Sequence, residues 1–309
     1  MSRIHEALKK AEQERASAPA SPIAPGLGGG EPESPVLVDE MPVSASAGIA
    51  AAPASRFAGS YNAEGLLGRC TQLEWKPSSA SMLFLNGDEN AKGTEQFRTL
   101  RSRLYHMREK MPLKKLLITS ALPKEGKSFT AANLAQVLVR QHGRRVLLID
   151  ADLRAPRLHE MLGTTSQPGL SDYLRGDSDQ FSVVQRGRWE NFFFIPSGSG
   201  EIANAAELVA NGRMKFLLQQ LEPLFDWIVI DSPPAALVSD SGLLAKECDG
   251  VLMVVRSNAT PFDVARKARQ EFSEQMLLGV VLNGADRENA AYARYYYESY
   301  EKKQATPKA

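Results

Sequence analysis

Six short apolar runs recur along the last two-thirds of this 309-residue chain, each separated from the next by a stretch long enough to hold a helix. They are Leu116–Thr119, Val146–Ile149, Asn191–Ile195, Trp227–Ile230, Val251–Val255 and Gly279–Leu282. Most are apolar at successive positions rather than alternate ones. A strand of that kind is buried on both faces, and a parallel sheet covered by helices on each side buries it that way. The clearest intervening helical stretches are Lys127–His142, Arg213–Leu221, Ser239–Glu247 and Pro261–Gln275. No repeat of solenoid period is present. The chain reads as one α/β domain over residues 76–286, a parallel β-sheet with helices on both faces.

The flanks differ in composition. Between Ala16 and Gly59 the chain is dominated by Ala, Ser, Pro and Gly, holds seven of the eighteen prolines and has Phe57 as its single aromatic. A stretch so poor in apolar bulk cannot offset its chain entropy, so residues 16–75 are read as a disordered linker. Residues 1–15 form a short helix candidate with Ile4, Leu8 and Ala11 on one stripe. Residues 287–309 form a tyrosine-rich tail.

Charge and cysteine usage exclude several function classes. Lys plus Arg (37) nearly cancels Asp plus Glu (36), leaving +1, where a nucleic-acid-binding domain would be strongly basic. Nucleic acid is not an expected partner. Cys70 and Cys248 make neither a disulfide framework nor zinc-ligand spacing, which suggests a reducing compartment. The apolar runs are strand-sized and the N-terminus is too charged for a signal peptide. A cytoplasmic protein is expected.

The first main strand runs into Ala121-Leu-Pro-Lys124-Glu125-Gly126-Lys127-Ser128 and then a helix. A strand, a loop ending Gly-Lys-Ser and a helix together make the context of a phosphate-binding loop, where backbone amides and the helix dipole favour anions. Lys124, Glu125, Gly126, Lys127, Ser128 and Phe129 are the candidate nucleotide-binding segment. Lys127 would reach the β- and γ-phosphates and Ser128 would ligate Mg²⁺. The usual first glycine of the pattern is Ala121 here.

Two acidic strand ends follow. The second main strand closes in Asp150-Ala-Asp152-Leu-Arg154, the fourth in Asp231-Ser-Pro-Pro. Each Asp alone could be a helix cap or a turn residue. At one edge of one parallel sheet, the three motifs together describe a nucleotide–Mg²⁺ site, with Asp231 as a metal-holding carboxylate. Asp150 is the candidate base for a hydroxyl proton, and Asp152 a second contact to the metal.

In that order the motifs resemble the bacterial tyrosine kinases of capsule and exopolysaccharide synthesis, which share a P-loop NTPase architecture with MinD/ParA-like ATPases. Two further features carry the resemblance. Glu95-Gln-Phe-Arg98-Thr-Leu-Arg101 reproduces the family's E-x-x-R-x-x-R oligomerisation motif. The tail holds Tyr292, Tyr295, Tyr296, Tyr297 and Tyr300, five of the chain's eight tyrosines within nine residues. The signature lysine of MinD/ParA loops is replaced by Leu122. The resemblance implies an ATP–Mg²⁺ autokinase that phosphorylates those tyrosines in trans within a homo-oligomeric ring whose interface uses Glu95, Arg98 and Arg101. It further implies Asn283 against the adenine, a membrane-anchored polysaccharide co-polymerase that recruits and activates the kinase, and a phosphotyrosine phosphatase. The competing reading is a MinD/ParA-like regulatory ATPase that transfers phosphate only to water. A solvated ion-pair ladder on one helix is the alternative for Glu95, Arg98 and Arg101, and a turn residue the alternative for Asn283.

Overall fold

The computed structural model describes residue 65, residues 68–84 and residues 93–285 except 142, 200, 201 and 203. The expected N-terminal helix, most of the linker and the tyrosine tail lie outside the described residues. Among the described ones, eight strands form one sheet in the order β1-β4-β5-β3-β6-β2-β7-β8. They are β1 (Thr71–Gln72), β2 (Lys115–Ser120), β3 (Val146–Asp150), β4 (Gln185–Arg186), β5 (Phe192–Ile195), β6 (Trp227–Asp231), β7 (Gly250–Arg256) and β8 (Leu277–Asn283). Every pairing is parallel except β4 with β5. The six apolar runs are β2, β3, β5, β6, β7 and β8.

Among the described residues, the helices that connect them are α1 (Thr94–Arg108), α2 (Lys127–Val139), α3 (Leu158–Leu162), α4 (Leu170–Arg175), α5 (Ala205–Ala210), α6 (Arg213–Leu221), α7 (Asp240–Ala245) and α8 (Phe262–Gln270). They split into two layers, as the unbroken apolar strands require. Leu116, Ile118, Val146, Leu148, Phe192, Phe194, Trp227 and Val229 face α1, α2 and α3 through Leu104, Leu134, Leu138 and Leu158. Leu117, Leu147, Ile149, Phe193, Ile228, Ile230, Val251 and Met253 face α4 to α8 through Leu170, Val209, Leu217, Leu244 and Ala268. Strand residues alternate between the layers because successive side chains leave opposite faces of the pleat.

Helix α2 matters most for function, since its first turn carries Lys127 and Ser128. It is buried without a break from Thr130 to Leu138, including Asn133 and Gln136. Those two amides are fully used. Asn133 Oδ1 accepts from Leu83 N (2.8 Å), and its Nδ2 donates to Ser81 O (2.8 Å) and Phe129 O (2.9 Å); Gln136 Oε1 accepts from Phe84 N (3.0 Å). Segment 81–84 and α1 thus fix the helix from outside, and two buried amides satisfied in this way favour one arrangement over others.

The sheet begins earlier than the sequence reading put the domain. Thr71 and Gln72 pair with Gln185 and Arg186, and Trp75 is buried edge-on against Phe192 and Phe194. These residues fall inside the stretch 16–75 assigned to the linker. Two-residue strands carry no readable periodicity, and Leu73 and Trp75 alone are too few apolar residues to signal one. Helices α2 and α8 also stop short of the expected ends: α8 gives way to a turn that brings Phe272 into the core.

Candidate active site

The strand order places the carboxyl ends of β3, β6 and β2 side by side, which is where open α/β sheets bind ligands. Register sharpens this. Asp150 on β3 pairs with Asp231 on β6, and Ile118 on β2 pairs with Asp231 from the other side. Two carboxylates therefore stand on neighbouring strands, with the loop leading to α2 alongside. The three motifs, far apart in sequence, meet at one edge.

Side chains there form one ionic knot. Lys127 Nζ lies 2.7 Å from Asp152 Oδ2 and 3.8 Å from Asp231 Oδ2, and 3.2 Å from Ser128 Oγ. Ser128 Oγ donates to Asp231 Oδ2 at 2.5 Å. Asp150 Oδ2 accepts from the backbone N–H groups of Arg157 (3.2 Å) and Leu158 (3.0 Å), holding the start of α3. Asp152 Oδ1 accepts from Ala155 N at 3.1 Å. Among the described residues, Lys127 is the one cation within ion-pair distance of Asp152 and Asp231.

Burial sets the electrostatics. Asp150 and Asp231 are fully buried and Asp152 is nearly so. Burial first, and then the neighbouring Asp231 charge, push Asp150 up to about 8, against the pull of the Leu158 amide. Asp231 is raised by burial too, but Lys127 and the Ser128 hydroxyl hold it back. Burial works against a charged Lys127, yet Asp231, Asp152 and Asp150 together outweigh it and raise the amine. Charged carboxylates this close and this dry oppose one another's ionisation.

The fit to a divalent cation can be tested on the same atoms. Asp231 Oδ1 and Asp150 Oδ1 are buried and accept no hydrogen bond. Such lone pairs are costly unless a ligand or cation completes them. No group of three or more acidic, His or Cys side chains among the described residues forms a metal cage by itself. That suits Mg²⁺, which takes one or two carboxylates and completes its shell with substrate phosphates and water.

The remaining candidates divide. Gly126 has φ 96° and Lys124 φ 65°, so the loop turns through two left-handed residues before α2. Phe129 packs its ring on Phe97 (6.0 Å between centroids), which leaves its backbone amide as the part able to serve phosphate. The Glu125 side chain is buried and accepts from Leu122 N at 2.7 Å, and Asn283 Nδ2 donates to the Glu125 carbonyl at 2.8 Å. Glu95 and Arg98 make an i, i+3 ion pair of 3.1 Å on α1. Arg101 does not extend that ladder: its Nη1 donates to the Val137 carbonyl at the end of α2 (3.0 Å). The five tail tyrosines lie outside the described residues. Sequence reasoning missed Asp240, buried at the start of α7, which takes Arg154 in a two-pronged ion pair (Nε to Oδ2 2.8 Å, Nη2 to Oδ1 3.1 Å). An Asp at the start of a helix carries no sign in the sequence of a partner 86 residues away.

Comparison with known proteins decides the family. Residues 124–263 match a family model described as an AAA domain. Over 205 residues the chain is 35% identical to "Tyrosine-protein kinase YwqD" of Bacillus subtilis, covering 66% of this chain and 86% of that protein. The chain belongs to the bacterial tyrosine-protein kinase family. It is also 32% identical over 223 residues to "Tyrosine-protein kinase wzc" of Salmonella typhimurium, covering 72% of this chain and 31% of that longer protein. Among solved structures, this family member resembles the kinase domain of the Escherichia coli tyrosine kinase ETK, with a TM-score of 0.60 and 30% identity over 65% of this chain and 80% of that one. It also resembles the chimerical protein CapA2B2, with a TM-score of 0.61 and 28% identity over 71% and 96% of the two chains. No helix among the described residues is long and apolar enough to cross a membrane.

Proposed function

We propose that this protein is an ATP-dependent tyrosine autokinase that phosphorylates its own C-terminal tyrosine cluster in trans. The observation that carries the reading is the convergence of Lys127, Ser128, Asp150, Asp152 and Asp231 at one sheet edge, with two buried carboxylate oxygens left without partners. Transfer of a phosphoryl group demands positioning and charge neutralisation more than covalent participation. Backbone amides at the head of α2 and Lys127 bind the phosphates. As the nucleotide enters, its phosphates compete with Asp152 for Lys127. Ser128, Asp231 and Asp152 would hold Mg²⁺, which supplies positive charge to the phosphate oxygens when bound. Asp150 is the proposed proton acceptor for the tyrosine hydroxyl. Its raised pKa suits that role, since a base works best with a pKa near the working pH.

The partners follow the family. Phosphorylation in trans needs a homo-oligomer in which one chain's tail reaches its neighbour's site, and its interface would use Glu95, Arg98 and Arg101 on α1. A membrane-anchored polysaccharide co-polymerase would recruit the protein from the cytoplasm to the inner face of the membrane, and a phosphotyrosine phosphatase would reset it. The controlled process is then capsule or exopolysaccharide synthesis and export. Incubating the full chain with ATP and Mg²⁺ and mapping phosphotyrosine by mass spectrometry tests the reading. Phosphate on Tyr292, Tyr295, Tyr296, Tyr297 or Tyr300 supports it. ATP hydrolysis without phosphotyrosine would favour the regulatory ATPase instead.

A further inference from the structure

The loop that must present amides to phosphate has no regular structure of its own between Ser120 and Lys127, and two of its residues stand in left-handed backbone. Something else must hold its shape. Inside the loop, Ser120 Oγ donates to Leu122 O (2.7 Å), and Glu125 Oε2 accepts from Leu122 N (2.7 Å). The Leu122 amide is thereby committed to a side chain, so the phosphate-facing amides are those nearer α2.

The remaining side-chain hydrogen bonds to the loop among the described residues come from the end of β7, the turn after it and the end of β8, more than 130 residues away. Glu125 Oε1 accepts a short hydrogen bond from Thr260 Oγ1 and a longer one (3.4 Å) from the Arg256 backbone N–H. Arg256 Nη1 donates to the Lys124 carbonyl at 3.2 Å, and Asn283 Nδ2 to the Glu125 carbonyl at 2.8 Å. These outer residues are tied to one another. Ser257 N donates to Asn283 O (2.8 Å), Thr260 N to Arg256 O (3.1 Å), and Arg256 N reaches Thr260 Oγ1 (3.3 Å). Left-handed Asn258 (φ 56°) turns the chain between them. A Cβ on Gly126 would meet Asn283 Nδ2 at 2.1 Å, so the loop backbone and this amide are already in contact.

We propose that Arg256, Thr260 and Asn283 are positioning residues that set the phosphate loop through Lys124 and Glu125, and that Asn283 acts on the loop rather than on the nucleotide base. The inference rests on the reading of the site as a nucleotide site. A buried carboxylate is expensive unless its lone pairs are used. Here they fasten both ends of a strained turn, and losing one donor leaves an acceptor unpaired as well as freeing the loop. Because the clamp touches only loop atoms, its loss should weaken the phosphate end of every nucleotide alike.

The test is calorimetric binding of ADP, GDP and inorganic tripolyphosphate, with Mg²⁺, to the full chain and to Thr260→Val, Thr260→Ser and Asn283→Leu. Thr260→Val and Asn283→Leu should weaken all three ligands by a common factor of about ten, the equivalent of one hydrogen bond to a charged or buried acceptor. Thr260→Ser, which keeps the hydroxyl, should bind like wild type. Thermal melts identify a variant that has merely unfolded, and the Thr260 Ser/Val contrast stands independently of Asn283. Wild-type affinity in Thr260→Val would overturn the clamp alone, as would a loss in Asn283→Leu confined to ADP. A wild-type chain that binds none of the three ligands would overturn the nucleotide reading and the clamp with it.

Discussion

Replacing Lys127 by Met should do more than stop catalysis; it should make the fold pH-sensitive. The lysine is the counter-charge for Asp152 at 2.7 Å and Asp231 at 3.8 Å, in surroundings where the acids are almost wholly withdrawn from water. Removing one partner of a buried pair costs about 3–5 kcal/mol when the other charge stays. The acids can escape by taking up a proton. For a carboxyl of ordinary pKa near 3.9, that costs about 1.4 kcal/mol per pH unit above it, hence about 1.5 kcal/mol at pH 5 and about 4 kcal/mol at pH 7. The sign is fixed: an acid whose folded pKa is raised loses stability as pH rises above the unfolded value, until the folded value is passed. The variant should therefore fall further below wild type as pH rises from 5 to 7, by at most about 3–5 kcal/mol, with little further change above. Urea denaturation in EDTA and without nucleotide, at unit steps from pH 5 to 8, measures the gap. A gap that is flat with pH, or absent, would refute the placement of Lys127 as the charge that holds the acids.

Three further outcomes follow from named contacts. Arg101→Ala should cost about 1 kcal/mol of stability, because Arg101 donates to the Val137 carbonyl at the end of α2, whereas Arg98→Ala should stay within about 0.5 kcal/mol; equal effects in chemical denaturation would contradict the division, and Arg98→Glu is the cleaner probe of oligomerisation by sedimentation. Gly126→Ala should lower nucleotide affinity at least ten-fold, since φ 96° suits glycine and the added methyl meets Asn283; unchanged binding in calorimetry would count against the loop geometry. Arg154→Ala should destabilise by about 3 kcal/mol because it strands the buried Asp240 carboxylate, and Asp240→Ala by less because Arg154 still reaches water, with the double variant costing less than the two added together; simple additivity in a double-mutant cycle would separate them.

How much of this could be read beforehand depends on sequence distance. The six main strands announced themselves because burial on both faces leaves unbroken apolar runs. The three motif loops followed because each closes an apolar strand: Gly126-Lys127-Ser128, Asp150-Ala-Asp152 and Asp231-Ser-Pro-Pro were expected at one sheet edge, and the strand order brings them there. Contacts that bridge the chain were invisible. Asp240 lies 86 residues from the arginine it holds, and Thr260 lies 135 from Glu125; neither pairing leaves a pattern in a single sequence. Arg101 shows the opposite hazard. Its spacing from Arg98 is that of a helix face, yet it serves the neighbouring helix. Thr71 and Gln72 were lost for a third reason, because two residues at a sheet edge are too short for any period to register.

The central claim is that the knot at the sheet edge transfers phosphate from ATP to tyrosine. Mass spectrometry of the full chain after incubation with ATP and Mg²⁺ tests it most directly, run beside Lys127→Met at a pH where that variant is folded. The account predicts phosphotyrosine within residues 292–300 of the wild type and none in the variant. Phosphotyrosine persisting in folded Lys127→Met, or a wild type that turns over ATP while its tyrosines stay unmodified, would contradict it.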